Sequence, residues 1–233
     1  MEPSFGAGVR VRRGTLADAS AILEVLERSL SGDPFVRWLT RGEPRAMRSY
    51  LRLMLRRIAL PKGIAYLTVE PDAVEPDAVE RDAVERESIA SVALWAPPHT
   101  FALSAGESLR LLPTMLRVIG PLRFSRVALV LDEIERARPP EPRWLLTLLG
   151  TLPERRARGH ASAALGPALA RCDLDGHVAV CETSEPANLA FYARHGFVVT
   201  AERRLEAQGP TTYTLQREPR SPGGGRRCYP REP

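Results

Sequence analysis

The sequence predicts a mixed α/β fold, in which one sheet is covered by helices. Short apolar segments typical of strands alternate with longer segments whose apolar residues recur every three or four positions, as in amphipathic helices. The chain has 233 residues, of which 44% are hydrophobic, and this suffices for one domain with a substantial core. No run of ~18 apolar residues occurs, so we expect no membrane partner.

Seven segments are predicted to be strands, because each is short, rich in apolar residues and bounded by turn-forming residues. Trp144–Leu149 is apolar along nearly its whole length. The predicted strands are Val9–Arg13, Ile64–Glu70, Ser88–Trp95, Trp144–Leu149, Val178–Thr183, Phe197–Arg203 and Thr211–Gln216.

Seven segments are predicted to be helices from their apolar spacing. Thr15 stands at the N-cap position of the first, and Asp18 can accept hydrogen bonds from its first turn. Pro61-Lys62-Gly63 ends the third. The predicted helices are Thr15–Leu30, Pro34–Leu39, Pro44–Leu60, Ser104–Val118, Pro121–Ala137, Gly159–Leu174 and Ala187–His195.

Three pentapeptides follow one another after the second predicted strand: Glu70-Pro-Asp-Ala-Val, Glu75-Pro-Asp-Ala-Val and Glu80-Arg-Asp-Ala-Val. A period of five matches neither helix nor strand. The segment is either a specific acidic binding loop or a solvated hairpin insertion. We favour the insertion, because each doubling of a loop costs only about 0.6 kcal/mol.

The predicted organisation is one domain over residues 1–217, interrupted by the low-complexity hairpin loop at 70–87. The segment 218–233 has three glycines and few apolar residues, so we expect a disordered tail.

Cysteine and charge content narrow the class of protein. Cys172, Cys181 and Cys228 form an odd set without metal-ligand spacing, which predicts reduced cysteines, a cytoplasmic location and no metal site. The net charge is +5, but Lys62 is the only lysine and the arginines are scattered. We therefore expect no nucleic-acid partner, although a positive surface suits an anionic small molecule.

The segment 149–162 has the composition of an anion-binding loop. A strand leads through small residues into a helix whose first amides are free and whose dipole favours negative charge. Gly159 and Ala161 let a pyrophosphate approach the backbone, and Arg156 and Arg158 add cationic donors. Alone, this pattern does not distinguish a phosphate site from an ordinary helix start. It is also neither a Rossmann nor a P-loop motif.

A second motif follows this loop: Glu182-Thr-Ser-Glu-Pro-Ala-Asn188-Leu-Ala-Phe191-Tyr192-Ala-Arg-His-Gly196-Phe197. With Arg156-x-x-Gly159-x-Ala161, it resembles the two signatures of the GNAT superfamily of acetyl-CoA-dependent N-acetyltransferases. The similarity covers roughly Val9–Arg217. Within the superfamily the chain is most similar to the puromycin N-acetyltransferase group, in Pro140–Trp144, Leu149-Gly150, Glu182–Ser184 and Gln208–Tyr213.

The resemblance implies the GNAT fold, a central mixed and mostly antiparallel sheet flanked by helices, with splayed central strands. It also implies that acetyl-CoA is the co-substrate and that the primary amine of a small molecule attacks the thioester in a ternary complex. The implied cofactor-binding residues are Leu149, Gly150, Thr151, Arg156, Ala157, Arg158, Gly159, His160, Ala161, Ser162, Asn188 and Tyr192.

The resemblance also assigns catalytic roles. Tyr192 matches the tyrosine that protonates the departing thiolate, a transfer that needs modest help because a phenol has a pKa of about 10 and a thiol about 8.5. Glu182 is the first candidate for the general base and is alternatively structural, and Glu141 is the second. Three histidines are weaker candidates: His99, His177 and His195.

Two features leave the function open. Members of the puromycin group commonly carry Q-G-K-G-x-G where this chain has Arg156-Ala-Arg-Gly-His-Ala161, which predicts weaker CoA binding. The alternatives are a CoA-binding regulatory module without turnover and a protein or peptide N-acetyltransferase with an open groove.

The acceptor site is not fixed by the motifs. Three aromatic residues either line an acceptor pocket or form part of the core: Phe35, Trp38 and Trp95. We expect a monomer or homodimer.

Overall fold

Among the residues that the structure describes (9–71, 87–100, 104–140, 142–205 and 209–220), seven strands form one sheet of order β1-β2-β3-β4-β5-β7-β6. The structure is a computed structural model. Its strands are β1 (Arg10–Arg13), β2 (Ile64–Pro71), β3 (Glu87–Ala96), β4 (Arg143–Thr151), β5 (Val178–Thr183), β6 (Val198–Arg204) and β7 (Thr211–Arg217). The pentapeptides beyond Pro71, the tail beyond Arg220 and Glu141 lie outside the described residues.

Eight α-helical segments accompany the sheet in the same part of the chain. The predicted helix Pro44–Leu60 continues beyond Leu53 as a π-helix, Met54–Ala59. None of the described helices is long and apolar enough to cross a membrane. The helices are α1 (Ala19–Leu30), α2 (Pro34–Thr40), α3 (Pro44–Leu53), α4 (Leu60–Lys62), α5 (Ala105–Ile119), α6 (Pro121–Ala137), α7 (His160–Asp175) and α8 (Leu189–Arg194).

The two faces of the sheet carry separate apolar cores. Successive strand residues point to opposite faces, and in β3 Val92 and Leu94 pack with α1 and α3, whereas Ala93 and Trp95 pack with α7. The side chain of Trp95 is 1% exposed and belongs to this core. Helices therefore cover both faces, as the mixed α/β prediction requires.

Pairing is antiparallel between all neighbouring strands except β4 and β5, which run parallel. This confirms the predicted mixed, mostly antiparallel sheet. The parallel pair is short, since it extends only from Arg143–Val178 to Leu146–Cys181. Beyond that point β5 continues beside β7, and β4 continues beside β3. The two central strands thus splay apart.

A bulge in β4 marks the start of the splay. Trp95 pairs with Leu146 and Leu94 pairs with Leu148, so Thr147 is an extra residue opposite β3. The hydroxyl of Thr147 donates a hydrogen bond of 3.0 Å to the carbonyl of Leu94. A bulge increases local twist and bends the strand, which helps to turn the end of β4 away from β5.

Candidate active site

A cleft opens where β4 and β5 diverge. Its volume is about 700 Å³, and it is lined by the end of β4, the loop before α7, the first turn of α7, the end of α1 and α8. Because β4 has no strand partner on this side after Leu146, its backbone amides and carbonyls are available to an extended ligand. The cleft is lined by eleven of the predicted cofactor residues: Leu149, Gly150, Thr151, Arg156, Ala157, Gly159, His160, Ala161, Ser162, Asn188 and Tyr192.

The loop before α7 bends sharply at two positions. Gly159, the N-cap of α7, has φ of 85°, and Ala157 has φ of 59°. Helix hydrogen bonding begins with the amide of Ala163, which donates to the carbonyl of Gly159. The preceding amides, of residues 160–162, have no partner within the helix and border the cleft. This is the arrangement that favours a bound phosphate group.

Contacts with α1 hold this loop in place. The guanidinium of Arg156 donates a 3.1 Å hydrogen bond to the carbonyl of Ser29, and Arg28 forms a 2.9 Å ion pair with Glu154. Arg158 is exposed and is not among the lining residues of the cleft. The loop's side chains thus secure its position, while its amides face the cavity.

The imidazole of His160 points into the protein and away from the cleft. Its side chain is fully buried, and its Nε2 lies 2.9 Å from Oε1 of Glu70, although neither ring nitrogen meets hydrogen-bond geometry. Glu70 also pairs with Arg155. Glu70 is the first residue of the pentapeptide segment, so the end of β2 contacts the loop directly.

Tyr192 lies at the inner end of the cleft and is 5% exposed. Its ring makes edge contacts with Phe191 and Phe197. Burial raises the pKa of Tyr192, and the negative charges of Asp33 and Glu182 add to this effect. The phenol therefore keeps its proton at neutral pH. One helical turn earlier, the side-chain amide of Asn188 donates a 3.3 Å hydrogen bond from Nδ2 to Thr183 Oγ1.

A second cavity of about 520 Å³ lies between the helices α2, α3, α5 and α6 and the strands β4 and β5. Most of its lining is apolar, including Phe35. Trp38, the other aromatic proposed for a pocket, packs beside Phe35 with ring centroids 5.9 Å apart. The two cavities share five lining residues, which mark where they meet: Leu30, Asp33, Leu149, Asn188 and Tyr192.

Glu182, the first candidate for the base, lines the second cavity and not the cleft, and its carboxylate is held in an ion pair. Arg138 donates to both of its oxygens, over 2.6 and 2.9 Å. The side chain of Arg138 is 9% exposed, so this is a largely buried ion pair. A buried carboxylate held by two charge-assisted hydrogen bonds is stabilised in place, which favours the structural alternative for Glu182.

The histidines lie apart from the meeting point of the cavities. His195 is half-buried, with Nε2 3.0 Å from Ser162 Oγ, and burial lowers its pKa. His99 and His177 line neither cavity.

Sequence reasoning missed the segment Ser29–Asp33, which lines the cleft. Its sequence is that of an ordinary helix end. The signal that was present is Asp33 before Pro34, which marks the N-cap of α2, and Asp33 does accept a 2.9 Å hydrogen bond from the amide of Val36.

Comparison with solved structures decides the fold. A protein described as histone acetyltransferase HPA2 and related acetyltransferase, from Corynebacterium glutamicum, superposes with a TM-score of 0.64 and 22% identity over 92% of this chain and 98% of that one. Arylalkylamine N-acetyltransferase 2 from Aedes aegypti superposes with a TM-score of 0.61 and 12% identity over 90% and 98%.

The chain has the GNAT acetyltransferase fold. A further GNAT-fold structure, the PaiA N-acetyltransferase of Thermoplasma acidophilum in complex with coenzyme A, superposes with a TM-score of 0.51 and 10% identity over 90% of this chain and 98% of that one. No family model matches the sequence. The similarity of this chain to the acetyltransferases therefore rests on the shared fold and on the two sequence motifs.

Proposed function

We propose that the chain is an N-acetyltransferase that transfers the acetyl group of acetyl-CoA to the primary amine of a small molecule. The observation that carries this proposal is the meeting of two cavities at Tyr192: one bordered by free helix amides, the other mostly apolar. Transfer between two substrates in a ternary complex needs two binding sites that open onto one proton donor.

Acetyl-CoA occupies the cleft of about 700 Å³ in this proposal. The amides of residues 160–162 and Gly159 receive the pyrophosphate, because they combine free donors with the positive end of a helix dipole. The pantetheine arm follows the unpaired edge of β4 at Leu149–Thr151 and passes Asn188. The coenzyme A complex of the Thermoplasma protein supports the choice of ligand for this fold.

The chemistry is one direct transfer. The amine nitrogen forms a bond with the thioester carbon, the carbon–sulfur bond breaks, and Tyr192 donates its phenolic proton to the thiolate. The raised pKa of Tyr192 suits a donor rather than a base, because the group stays protonated over the whole neutral range. A backbone amide of the splayed part of β4 stabilises the charge that develops on the carbonyl oxygen.

The acceptor is proposed to be a small molecule, although the names of the similar structures cover both a histone and an arylalkylamine acetyltransferase. The second cavity favours a small-molecule acceptor, because α5 and α6 form one of its walls and most of its lining side chains are apolar. A peptide acceptor requires an open groove across the splayed strands. We further propose that the chain belongs to the puromycin N-acetyltransferase group, on the motifs described above.

A thiol-release assay tests the proposal. The full chain is incubated with acetyl-CoA and a panel of amines that includes puromycin, a histone tail peptide and simple aromatic and aliphatic amines. We expect amine-dependent release of CoA and an acetylated small-molecule product, identified by mass spectrometry. Coenzyme A binding by calorimetry with no turnover of any amine contradicts the enzyme and supports the regulatory-module alternative.

A further inference from the structure

Asp33 is the acidic residue that borders both cavities at their meeting point. It is partly buried between α1 and α2. One oxygen, Oδ1, accepts the amide of Val36 and so caps α2. Among the described residues no side chain forms an ion pair with Asp33, in contrast to Glu182, which Arg138 holds through both oxygens. A carboxylate without a cationic partner beside Tyr192 is available to a cationic ligand.

The electrostatic surroundings of Asp33 suit a proton acceptor. Burial raises its pKa, and the negative charge of Glu185 adds to this effect, while the amides of Val36 and Phe35 oppose it. The charge of Asp33 also contributes to the raised pKa of Tyr50, about 12, which is due first to burial. Base catalysis is most efficient when the pKa of the base approaches the working pH. The other ionisable groups that line the cleft are Arg28, Arg155, Arg156, His160, Glu185, Tyr192 and Arg194. Those that line the second cavity, besides Tyr192, are Tyr50, Glu135, Arg138 and Glu182.

The apolar cavity indicates what the amine is attached to. Helix α2 contributes Phe35, the α3 region contributes Met54, and α5 and α6 contribute Met115, Phe124 and Leu131. Burial of aromatic or branched aliphatic groups against such a surface is favourable, because it removes apolar area from water. A volume of about 520 Å³ lies within the usual range for a small-molecule pocket.

We infer that Asp33 binds the ammonium group, and then takes the proton, of a primary amine attached to an aromatic or branched aliphatic body that fills the apolar cavity. This inference rests on the proposed acetyltransferase function and names the acceptor class and the base for it. It assigns to Asp33 the role that the sequence suggested for Glu182, and gives Glu182 a structural role.

The proton balance closes with these groups. The bound ammonium gives one proton to Asp33, which releases it to water in the open cleft. The neutral nitrogen then attacks the thioester carbon and loses a second proton to Asp33 as the carbon–sulfur bond breaks. The thiolate takes the phenolic proton of Tyr192, and the proton on Asp33 passes to the tyrosinate. The products are the amide, free CoA and one proton in solution.

Asp33→Asn removes the negative charge but keeps the N-cap of α2, because asparagine caps a helix as well as aspartate does. The matched control is Asp132→Asn on the exposed face of α6, which lines neither cavity. The probes are 2-phenylethylamine, spermidine, which lacks an apolar body, and 2-phenylethanol, which lacks the ammonium group. Binding to the CoA-saturated protein is measured by calorimetry, and kcat is measured at saturating acetyl-CoA.

We expect the wild type to bind and acetylate 2-phenylethylamine in preference to spermidine, and not to bind 2-phenylethanol. Asp33→Asn lowers kcat at pH 7 by about 10²-fold or more, with CoA affinity and unfolding free energy unchanged. The deficit narrows towards about pH 10, where the amine loses its proton without help. A merely structural role does not produce that alkaline recovery. Asp132→Asn behaves as the wild type.

The outcomes are distinguishable. If the wild type acetylates no amine, the proposed function fails, whatever Asp33 does. If it acetylates spermidine but not 2-phenylethylamine, the acceptor class is wrong. If Asp33→Asn keeps the wild-type kcat at pH 7 while Glu182→Gln loses it, the base is Glu182 and the assignment of Asp33 is wrong. Asp33→Ser, which also caps α2 without charge, gives the same test should the asparagine variant fail to fold.

Discussion

The Nε2 atom of His160 lies 2.9 Å from Oε1 of Glu70, which joins the first turn of α7 to the end of β2. The carboxylate of Glu70 also pairs with Arg155. Two residues of the proposed pyrophosphate loop therefore depend on one carboxylate at the start of the pentapeptide segment. If the loop binds CoA as proposed, its affinity should depend on β2, a strand that does not line the cleft.

We predict that Glu70→Gln raises the KM for acetyl-CoA several-fold, with kcat little changed, and lowers the free energy of unfolding by about 1–3 kcal/mol, because it leaves a buried imidazole and Arg155 without a charged partner. Steady-state kinetics and urea unfolding measure the two effects. The control is Glu24→Gln on the exposed side of α1. An unchanged KM alongside reduced stability contradicts the link to the cofactor loop.

Ala157 adopts φ of 59°, a left-handed conformation that an L side chain disfavours. Ala157→Gly removes a penalty of roughly 1–2 kcal/mol but adds about 0.4–1 kcal/mol of unfolded-state entropy. We therefore expect a net stabilisation of about 0–1.5 kcal/mol and equal or tighter CoA binding. Ala161→Gly, inside the first turn of α7, is the matched control and should destabilise by about 0.5–1 kcal/mol. The same sign for both variants contradicts the strain argument.

Gly150 lies against α1, where an added Cβ would lie 2.3 Å from Ser29 Oγ and 3.1 Å from Leu26 Cδ2. We expect Gly150→Ala to destabilise the protein by about 1–3 kcal/mol through overpacking. Ser29→Ala removes the nearest atom, so the double variant should recover part of the loss. Urea unfolding of the four proteins gives the coupling energy. Gly106→Ala, whose Cβ would meet nothing within 4 Å, should not destabilise. Strict additivity of the first two changes would rule out the clash.

Tyr192→Phe keeps the packed ring and removes the proposed proton donor. We expect kcat to fall by about 10²-fold or more, with CoA binding and stability nearly unchanged, since no hydrogen bond joins the hydroxyl to the described residues. The control is Tyr213→Phe, which removes a hydroxyl on β7 away from both cavities. The measurement is kcat with the best amine of the panel, beside calorimetric CoA affinity. Full activity of Tyr192→Phe would exclude it as the acid.

The helices and strands of this fold could be predicted from local sequence. Most of them begin and end at turn-forming residues, and their apolar residues recur at the spacing of a helix or a strand. Helix α6, Pro121–Ala137, has the predicted limits, and β5, Val178–Thr183, does too. The cofactor residues implied by the motifs make up half of the cleft lining, because the loop before α7 and α8 are each one continuous segment of sequence.

Long-range packing explains what the sequence did not reveal. Asp33 reads as a simple helix cap, and only the placement of α1 beside the end of β4 brings it to Leu149 and Tyr192. The ion pair of Glu182 depends on Arg138, which directly follows α6 and belongs to neither sequence motif. Contacts of this kind depend on the whole fold, and a single sequence does not encode them in any local pattern.

The bulge in β4 was also hidden from the sequence, because the strand is apolar on both faces. Before Thr147, Trp144 and Leu146 face α7; after it, Leu149 does, while Leu148 and Gly150 face α1. Thr147 therefore shifts by one position which residues in the rest of β4 point to each face of the sheet. Deletion of Thr147 would keep the pairing with β3 and both faces but would remove the bulge, whereas an insertion after Leu148 would exchange the two faces and press side chains against α1. β4 should accordingly keep its side-chain pattern after loss of Thr147 or after apolar substitutions, but not after an insertion beyond the bulge.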